Sequence, residues 1–386
     1  MPNKILFCAT VDFHFKAFHL PYMRWFQERG WEVHVAAAGD MELPYTDKRY
    51  YLSIHRSPFH LANIKAYREI HQVIHTNEFQ IIHAHTPMGG MLARLAARHT
   101  RKFGTNVLYT AHGFHFCKGA PFWHWLLYYP IEKILSHYTD CLITINQEDY
   151  VLAQRLHASK VVHVHGVGVD TTRFQPADSV RKLALREKLG YQERDFLLFY
   201  AAEFNRNKNQ QLLIQVLAHI KNDVPHIRLL LAGIGPLQEQ CRQLARKLGV
   251  EENVDFLGYR NDLDQVLPAC DIAVASSIRE GLPVNIMEAM ACGLPVVATA
   301  NRGHLELVHD GVNGYIVSEE NVRKFATNIY KLSQSTELVN EMGKQNQQII
   351  MKYAISSVKH ELCDIYDQFN TEGRNGTESK YYRAYL

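Results

Sequence analysis

The segment SIREGLPVNIMEAMACGLPVVAT, residues 277–299, shows most directly how the second half of the chain folds. The apolar run before it, residues 272–275, has the length and the β-branched content of a buried parallel strand. Pro283 suits the first turn of a helix, and Gly293 with Pro295 stops that helix before the next apolar run. The segment therefore predicts a strand, a turn, a helix and a second strand, the repeating unit of an α/β layer.

The same alternation of apolar runs and helical patterns extends over the whole chain. Runs that predict strands lie at residues 4–9, 31–37, 80–84, 106–110, 141–145, 196–201, 227–232, 254–257, 272–275 and 295–298. The periodicity lapses around Pro176 and Ser179, which predicts a boundary near residue 175. We expect an α/β protein with two doubly wound Rossmann-like domains, 1–174 and 175–369, that face each other across a cleft, and a flexible tail at 370–386. The last helix of the second domain is free to pack back on the first.

Length and composition exclude several classes of protein. A chain of 386 residues favours two domains over one, and 47% hydrophobic with 21% charged residues is typical of a globular α/β protein. The net charge of +3 gives no reason to expect a nucleic-acid partner. Seven cysteines without a C-x-x-C pair suit a reducing compartment, and no window is apolar for long enough to span a membrane. We therefore expect a cytoplasmic protein that could bind peripherally at the inner face of the membrane.

Two glutamates bracket the start of the helix predicted within residues 277–299. Glu280 lies in the loop before the helix and Glu288 lies on it, while Gly281 permits close approach of a ligand to the backbone. The exposed N–H groups at a helix N-terminus bind anions, so the two carboxylates could grip hydroxyl groups on either side of a bound diphosphate. A nucleotide sugar has this layout. The alternative is a capping glutamate and a solvated helix residue.

Several further blocks accompany this E-x7-E segment. They are GVGVDTTRFQP (166–176), LLLAGIGPL (229–237), VDFLGYRNDLDQVLPACDIAVASS (254–277), TAHGFHF (110–116) and GVNGYIV (311–317). Together they resemble the family 4 retaining glycosyltransferases of the GT-B fold, in particular those of bacterial exopolysaccharide and capsule synthesis, and the resemblance covers most of the chain.

The resemblance implies a set of donor-binding residues. Glu280 would contact the hydroxyls of the donor sugar and Glu288 those of the ribose, and Lys208 matches a lysine that neutralises the leaving diphosphate. The arginine that accompanies this lysine in the family is Glu203 here, and Arg206 is the nearest substitute. The remaining implied donor-binding residues are Gly281, Leu282, Pro283, Val284 and Asn285, whose backbone would meet the phosphates, with Gly233 and Arg260.

The resemblance also implies an acceptor side in the first domain. His112 follows a predicted strand and matches the histidine that approaches the donor sugar, so Glu280 and His112 are the candidate catalytic residues. The aromatic segment at residues 114–129 suits a membrane interface or a polyprenyl acceptor, although a buried core helix would show the same composition. The candidate acceptor-side residues are His14, His115, Trp123 and Trp125.

No metal site and no cofactor are expected. His83 and His85 point to one face of a strand, but no third ligand follows at a recognisable spacing, which disfavours zinc. Asp262 and Asp264 mimic a D-x-D metal motif, yet their position predicts helix capping. The resemblance implies that Lys208, Arg206 and the helix amides replace a Mg²⁺ clamp on the diphosphate.

The predicted function is retaining transfer of a hexose or N-acetylhexosamine from a nucleoside-diphosphate sugar, with UDP as the expected nucleotide, to a lipid-linked or oligosaccharide acceptor in exopolysaccharide or cell-surface glycan synthesis. The nucleotide sugar is the substrate. Two alternatives stay open: a nucleotide-sugar 2-epimerase-like enzyme on the same fold, and a non-catalytic nucleotide-sugar-binding scaffold subunit.

Overall fold

The structure, a computed structural model, describes residues 2–318 and 321–371. The chain divides into two compact units, one comprising the residues up to Val167 with those from Val358 onward and the other comprising Gly168–Ser357. The sequence-based limits at 174 and 175 stay a prediction. The predicted tail at 370–386 lies outside the described residues from position 372 onward.

The first unit contains a parallel sheet whose strand order is β3-β2-β1-β4-β5-β6-β7 among the described residues. The strands are β1 (Lys4–Val11), β2 (Glu32–Ala38), β3 (Lys48–Tyr51), β4 (Ile81–His85), β5 (Asn106–Ala111), β6 (Cys141–Thr144) and β7 (Lys160–His163). All five residues of β4 are buried, because helices cover both faces of a parallel sheet. The apolar runs of the sequence therefore mark the strands correctly, while the short, partly exposed β3 and β7 lack such a run.

Helices connect the strands of this sheet. They are α1 (Phe13–Phe18), α2 (Leu20–Gln27), α3 (Ala62–Thr76), α4 (Pro87–Ala97), α5 (Phe122–Ser136) and α6 (Gln147–Ala153), with a 3-10 helix at Thr100–Phe103. A buried cluster that includes Leu6, Ile70, Ile82, Leu92 and Leu142 packs α3 and α4 against the sheet.

The second unit repeats the architecture with the strand order β10-β9-β8-β11-β12-β13 among the described residues. Its strands are β8 (Phe196–Ala201), β9 (Ile227–Ala232), β10 (Val254–Gly258), β11 (Ile272–Ala275), β12 (Val296–Thr299) and β13 (Gly314–Val317). Its helices are α7 (Ser179–Leu189), α8 (Gln210–Ile220), α9 (Gln238–Lys247), α10 (Leu263–Val266), α11 (Val284–Ala291), α12 (Arg302–Leu307), α13 (Val322–Ser333) and α14 (Thr336–Ile350). Short 3-10 helices lie at Glu251–Asn253, Leu267–Ala269 and Met351–Tyr353. The predicted α/β class with two Rossmann-like sheets is confirmed.

The last helix, α15 (Ile355–Thr371), begins in the second unit and belongs to the first from Val358 onward. Within the first unit the hydroxyl of Tyr366 lies 2.7 Å from Nδ1 of His83 on β4. Within the described residues, no helix is long and apolar enough to cross a membrane.

The strand orders determine which loops meet. In the first unit β1, β4 and β5 are neighbours, so the residues after Val11, His85 and Ala111 converge at the carboxyl edge of the sheet. In the second unit β8 and β11 are neighbours, so the loops after Ala201 and Ala275 lie side by side. Ligands of doubly wound sheets bind at such edges.

Candidate functional site

Two loops of the second unit are tied together by hydrogen bonds. The N–H of Ile278 donates to the carbonyl of Asn207 at 2.8 Å. The side chain of Asn207 also accepts from the N–H of Arg279 at 3.2 Å and donates to its carbonyl at 2.9 Å. The loop after β8 and the loop after β11 therefore form one rigid surface.

This surface brings Lys208 and Glu280 together. Nζ of Lys208 lies 2.5 Å from Oε1 of Glu280, with the two side chains 23% and 13% exposed. The backbone carbonyl of Lys208 accepts hydrogen bonds from the hydroxyls of Ser276 at 2.8 Å and Tyr200 at 3.3 Å. The two residues predicted from separate segments therefore form an accessible ion pair on a fixed backbone.

Helix α11 begins directly after this pair. Pro283 is its N-cap residue, not a residue of its first turn as predicted, because its ψ of 111° is extended. Pro283 has no side-chain group that could cap this N-terminus, and the N–H groups of Val284 and Asn285 have no acceptor within the helix. The side chain of Asn285 donates to the carbonyl of Ala201 at 2.9 Å. These amides give the helix start the character of an anion site.

A glycine that the sequence analysis missed supports the loop. A Cβ on Gly303 would lie 2.8 Å from Cβ of Glu280 and 3.0 Å from the carbonyl oxygen of Gly281. Nε of Arg302 donates to the carbonyl of Glu280 at 3.0 Å. Helix α12 therefore buttresses the Glu280 loop, and only its tertiary contact reveals the need for glycine.

Glu288 lies in the second turn of α11 and is half-buried. Burial raises the pKa of its carboxyl group from 4.5 to about 7. The side chain makes no ion pair with any residue that the structure describes. It is thus a carboxylate partly withdrawn from water and free to meet a polar ligand.

Two of the predicted donor-binding arginines do not join the pair. Arg206 is exposed, and within residues 2–318 and 321–371 its guanidinium has no ion-pair partner. Arg260 binds the carboxylate of Asp262 through both Nε, at 2.8 Å, and Nη2, at 2.7 Å. Asp262 occupies the N-cap position of α10 as predicted, but its carboxylate is bound by Arg260 and makes no capping hydrogen bond to this helix. Asp264 likewise pairs with Arg173 at 2.7 Å.

Packing requires a glycine at position 233. Its φ of 135° is unfavourable for other residues, and a Cβ there would lie 2.1 Å from the carbonyl oxygen of Ala202. The glycine turn thus lets the strand end press against the loop that leads to Lys208.

The first unit holds a cavity of about 520 Å³ with largely apolar walls. Two predicted acceptor-side residues, His14 and His115, line it. The other two do not: Trp123 is 63% exposed, whereas Trp125 packs on Phe116 and donates its Nε1–H to a backbone carbonyl at 3.3 Å. The aromatic and aliphatic wall residues include Phe13, Phe18, Phe59, Met88, Met91, Tyr109, Phe114, Phe116, Leu127, Tyr128, Ile131 and Leu135.

His112 follows β5 immediately and is brought next to His14, with ring centroids 4.7 Å apart. Burial lowers the pKa of His112 to about 4, so its imidazole is neutral near neutral pH. His83 is saturated by the hydroxyls of Tyr366 and Thr110, at 2.7 and 2.8 Å. His85, two residues further along β4, is fully buried among other histidines.

Comparison with known proteins identifies the family. The family described as Glycosyl transferase 4-like matches residues 4–146, and the family described as Glycosyl transferases group 1 matches residues 182–349. EpsD of Bacillus subtilis (strain 168), which is named as a glycosyltransferase, is 49% identical over 371 residues, covering 96% of this chain and 97% of EpsD. The chain is a family 4 glycosyltransferase.

More distant proteins agree with this assignment. The enzyme is 25% identical over 313 residues to the UDP-Gal:alpha-D-GlcNAc-diphosphoundecaprenol alpha-1,3-galactosyltransferase of Escherichia coli, covering 79% of this chain and 80% of that enzyme. Among solved structures it resembles Anabaena HepE in complex with UDP and glucose, with a TM-score of 0.76 and 21% identity over 95% of this chain and 100% of HepE. The predicted GT-B fold is confirmed.

Proposed function

We propose that the enzyme transfers a hexose or N-acetylhexosamine from a UDP-linked donor to a lipid-linked saccharide, with retention, in the synthesis of an exopolysaccharide or cell-surface glycan. The observation that carries the proposal is the accessible Lys208–Glu280 pair at the uncapped start of α11. At the edge of the second sheet, this site combines the ammonium group of Lys208, the carboxylate of Glu280 and the backbone amides at the start of α11.

The donor diphosphate is the anion that we place at the start of α11, beside Lys208. The ammonium of Lys208 has three N–H donors, and Glu280 is its one partner among the described residues, so the other donors can bind phosphate oxygens. The amides of residues 284 and 285 add further donors. These groups stabilise the charge on the leaving diphosphate without a metal clamp, and Arg206, exposed in the same loop as Lys208, is the candidate to join them on binding.

The two glutamates recognise different parts of the donor: Glu280 binds the sugar and Glu288 binds the ribose of the nucleotide. Glu280 is held by its contact with Lys208, which fixes its free carboxylate oxygen for hydroxyls of the donor sugar. Glu288, half-buried one turn into α11, accepts from the ribose hydroxyls. The backbone of residues 281–283 leads directly into α11, so its polar groups can also contact the donor diphosphate.

The reaction is a front-side displacement. The acceptor hydroxyl oxygen forms a bond to the anomeric carbon as the bond from that carbon to the diphosphate oxygen breaks on the same face. The departing phosphate takes the hydroxyl proton. Lys208 and the α11 amides stabilise the charge that develops on the leaving group, and the neutral imidazole of His112 orients the sugar.

The apolar cavity of the first unit supports a lipid-linked acceptor. Its walls suit an isoprenoid chain, while His14 and His115 add polar groups for a saccharide. The printed name of the Escherichia coli relative specifies a diphosphoundecaprenol acceptor. On the same unit, exposed Phe122, Trp123 and Leu126 of α5 give a surface that suits peripheral binding at the inner face of the membrane.

The test is a thermal-shift panel of nucleotide sugars, followed by mass spectrometry of donor mixed with undecaprenyl-diphosphate saccharides. A correct donor at 100 times its Kd adds about 2.7 kcal/mol of stability. A product heavier than the acceptor by one sugar residue is expected, and its NMR spectrum should show the anomeric configuration of the donor. Conversion of the donor with no acceptor present would instead establish an epimerase. Full biological activity of Glu280→Ala and His112→Ala would establish a scaffold subunit.

A further inference from the structure

The carboxyl edge of the first sheet gathers four histidines from three separate segments. His14 lies on α1, His19 caps the start of α2, His85 ends β4, and His112 follows β5. Each offers one ring nitrogen, and these four atoms all lie within 4.8 Å of one another. The neighbouring positions of β1, β4 and β5 in the sheet explain why residues so distant in sequence meet.

Several ring nitrogens of this histidine cluster lack hydrogen-bond partners among the described residues, whereas Nε2 of His14 and Nε2 of His19 contact each other. His85 is fully buried, and neither of its nitrogens has a hydrogen-bond partner in the part of the chain that the structure describes. The same holds for Nδ1 of His19 and Nε2 of His112. Leaving a buried polar group unsatisfied costs about 1–3 kcal/mol, so several at one place call for a ligand. The adjacent His83, with both nitrogens bonded, shows that the fold can satisfy a buried histidine.

The spacing of the cluster suits a single ion. Nε2 of His14 lies 3.1 Å from Nε2 of His19. Two nitrogens bound to one tetrahedral zinc ion at 2.0–2.1 Å are about 3.3 Å apart. The ring centroids of His19 and His85 are 4.0 Å apart and those of His85 and His112 are 5.8 Å apart, and each of the four rings offers a nitrogen within 4.8 Å of the other three.

We propose that His14, His19, His85 and His112 bind one divalent transition-metal ion of the zinc class. The group contains imidazoles alone, which suit zinc, copper, nickel or iron and do not suit Mg²⁺ or Ca²⁺. Four protein ligands close the coordination sphere, so the ion is structural and performs no step of the transfer. It ties the segment after β1 to the ends of β4 and β5, and it fixes the ring of His112 through Nε2.

This inference replaces the sequence-based expectation that zinc is disfavoured. That expectation looked for a third ligand near His83 and His85 along the chain, whereas the structure supplies His14, His19 and His112 from elsewhere. The inference does not rest on the proposed function, because it is argued from the ring nitrogens alone, although His14 and His112 have a role in both.

The test uses the full-length enzyme purified without a polyhistidine tag and without chelator. Mass-spectrometric metal analysis is expected to find about one zinc ion per chain, the number that a closed four-histidine site holds. Removing the ion with a strong chelator should lower the melting midpoint, and adding Zn²⁺ back should restore it. Co²⁺ in place of zinc should give the visible absorption of a tetrahedral site.

Variants locate the site. His19→Gln and His85→Gln should lose the ion and the cobalt spectrum, while the matched control His83→Gln, a buried histidine outside the cluster, should keep both. The proposal is overturned if the native protein holds no stoichiometric metal and the chelated wild-type protein shows no melting shift with Zn²⁺, Co²⁺ or Ni²⁺. It is equally overturned if the His19 and His85 variants retain the ion. UDP binding to the same variants is measured separately, because it reports on the donor site and not on the histidine cluster.

Discussion

Two ion pairs have the same shortest N···O distance, 2.5 Å, and opposite surroundings. In the first unit Arg94 and Glu132 are paired with side chains 1% and 12% exposed, and the guanidinium also donates to the carbonyl of Gly90 and stacks over Tyr109. In the second unit Lys208 and Glu280 are paired at 23% and 13% exposure. Equal distances therefore accompany very different access to ligand.

The number of partners of each cation distinguishes an ion pair that stabilises the fold from one that can bind a ligand. Arg94 engages Glu132 through two nitrogens and Gly90 through a third, so a ligand could add little. The ammonium group of Lys208 has one partner among the described residues and keeps donors for a phosphate. We therefore expect damage to the first pair to appear as lost stability, and damage to the second to appear as lost activity.

The largest effect is expected from Arg94→Met, which leaves the Glu132 carboxylate buried without its partner. The free energy of unfolding should fall by about 3–5 kcal/mol. Urea unfolding measures this, with Arg24→Met as control, because the exposed Arg24–Glu28 pair is screened by solvent and should contribute little to stability. The double variant Arg94→Met with Glu132→Leu should recover most of the loss. Equal losses in Arg94→Met and Arg24→Met would remove the distinction between the pairs.

Lys208→Met tests the other half of the comparison. Removal of a charge that stabilises the leaving diphosphate should lower kcat by about 10²–10³-fold with little change in the melting midpoint. The control is Lys247→Met, an exposed lysine on α9, which should keep the activity of the wild-type enzyme. A Lys208→Met enzyme that unfolds early but turns over normally would make this pair structural as well.

Gly303→Ala sharpens the comparison by moving Glu280 without deleting it. The added Cβ meets Glu280 and Gly281 at 2.8 and 3.0 Å, so the loop must shift, at a cost of about 1–3 kcal/mol in stability. The KM for the donor should rise. Gly343→Ala is the matched control, because its Cβ would meet the carbonyl of Gly293 at 2.3 Å and should destabilise the protein without changing the KM. Equal KM values would show that Gly303 does not position the loop.

The smallest effect concerns Glu288 and pH. Because burial raises its pKa from 4.5 to about 7, its contribution to stability is greatest in acid and is lost as the pH rises through about 7. The slope is at most about 1.4 kcal/mol per pH unit for one group. Unfolding of the wild-type enzyme and Glu288→Gln between about pH 5 and pH 8 measures the difference. Parallel stability curves would place this carboxylate in ordinary contact with water.

Sequence analysis succeeded where the decisive residues share a segment. The strands, the helix before Gly293 and the positions of Glu280 and Glu288 follow from one contiguous stretch whose periodicity and turn residues are local. Lys208 came from the family resemblance, and the adjacency of β8 and β11 explains why it meets Glu280.

The features that could not be predicted from the sequence are those that depend on contacts between distant or non-adjacent residues. Gly303 has no positive φ and no turn motif, and its need for glycine comes from the Glu280 loop packed against it. Asp262 is the N-cap residue that the sequence predicts, but its carboxylate is bound by Arg260, two residues away, instead of the helix amides. The histidine cluster is assembled from three segments, and no spacing along the chain could reveal it.

The most direct test of the donor site is calorimetric titration of UDP into the wild-type enzyme, Lys208→Met and Lys247→Met. We expect equal affinity for the wild-type enzyme and Lys247→Met, and at least about tenfold weaker binding to Lys208→Met, since a lost charge-assisted hydrogen bond is worth about 1.5–3 kcal/mol. Equal affinity in all three proteins would contradict the placement of the diphosphate between Lys208 and the start of α11.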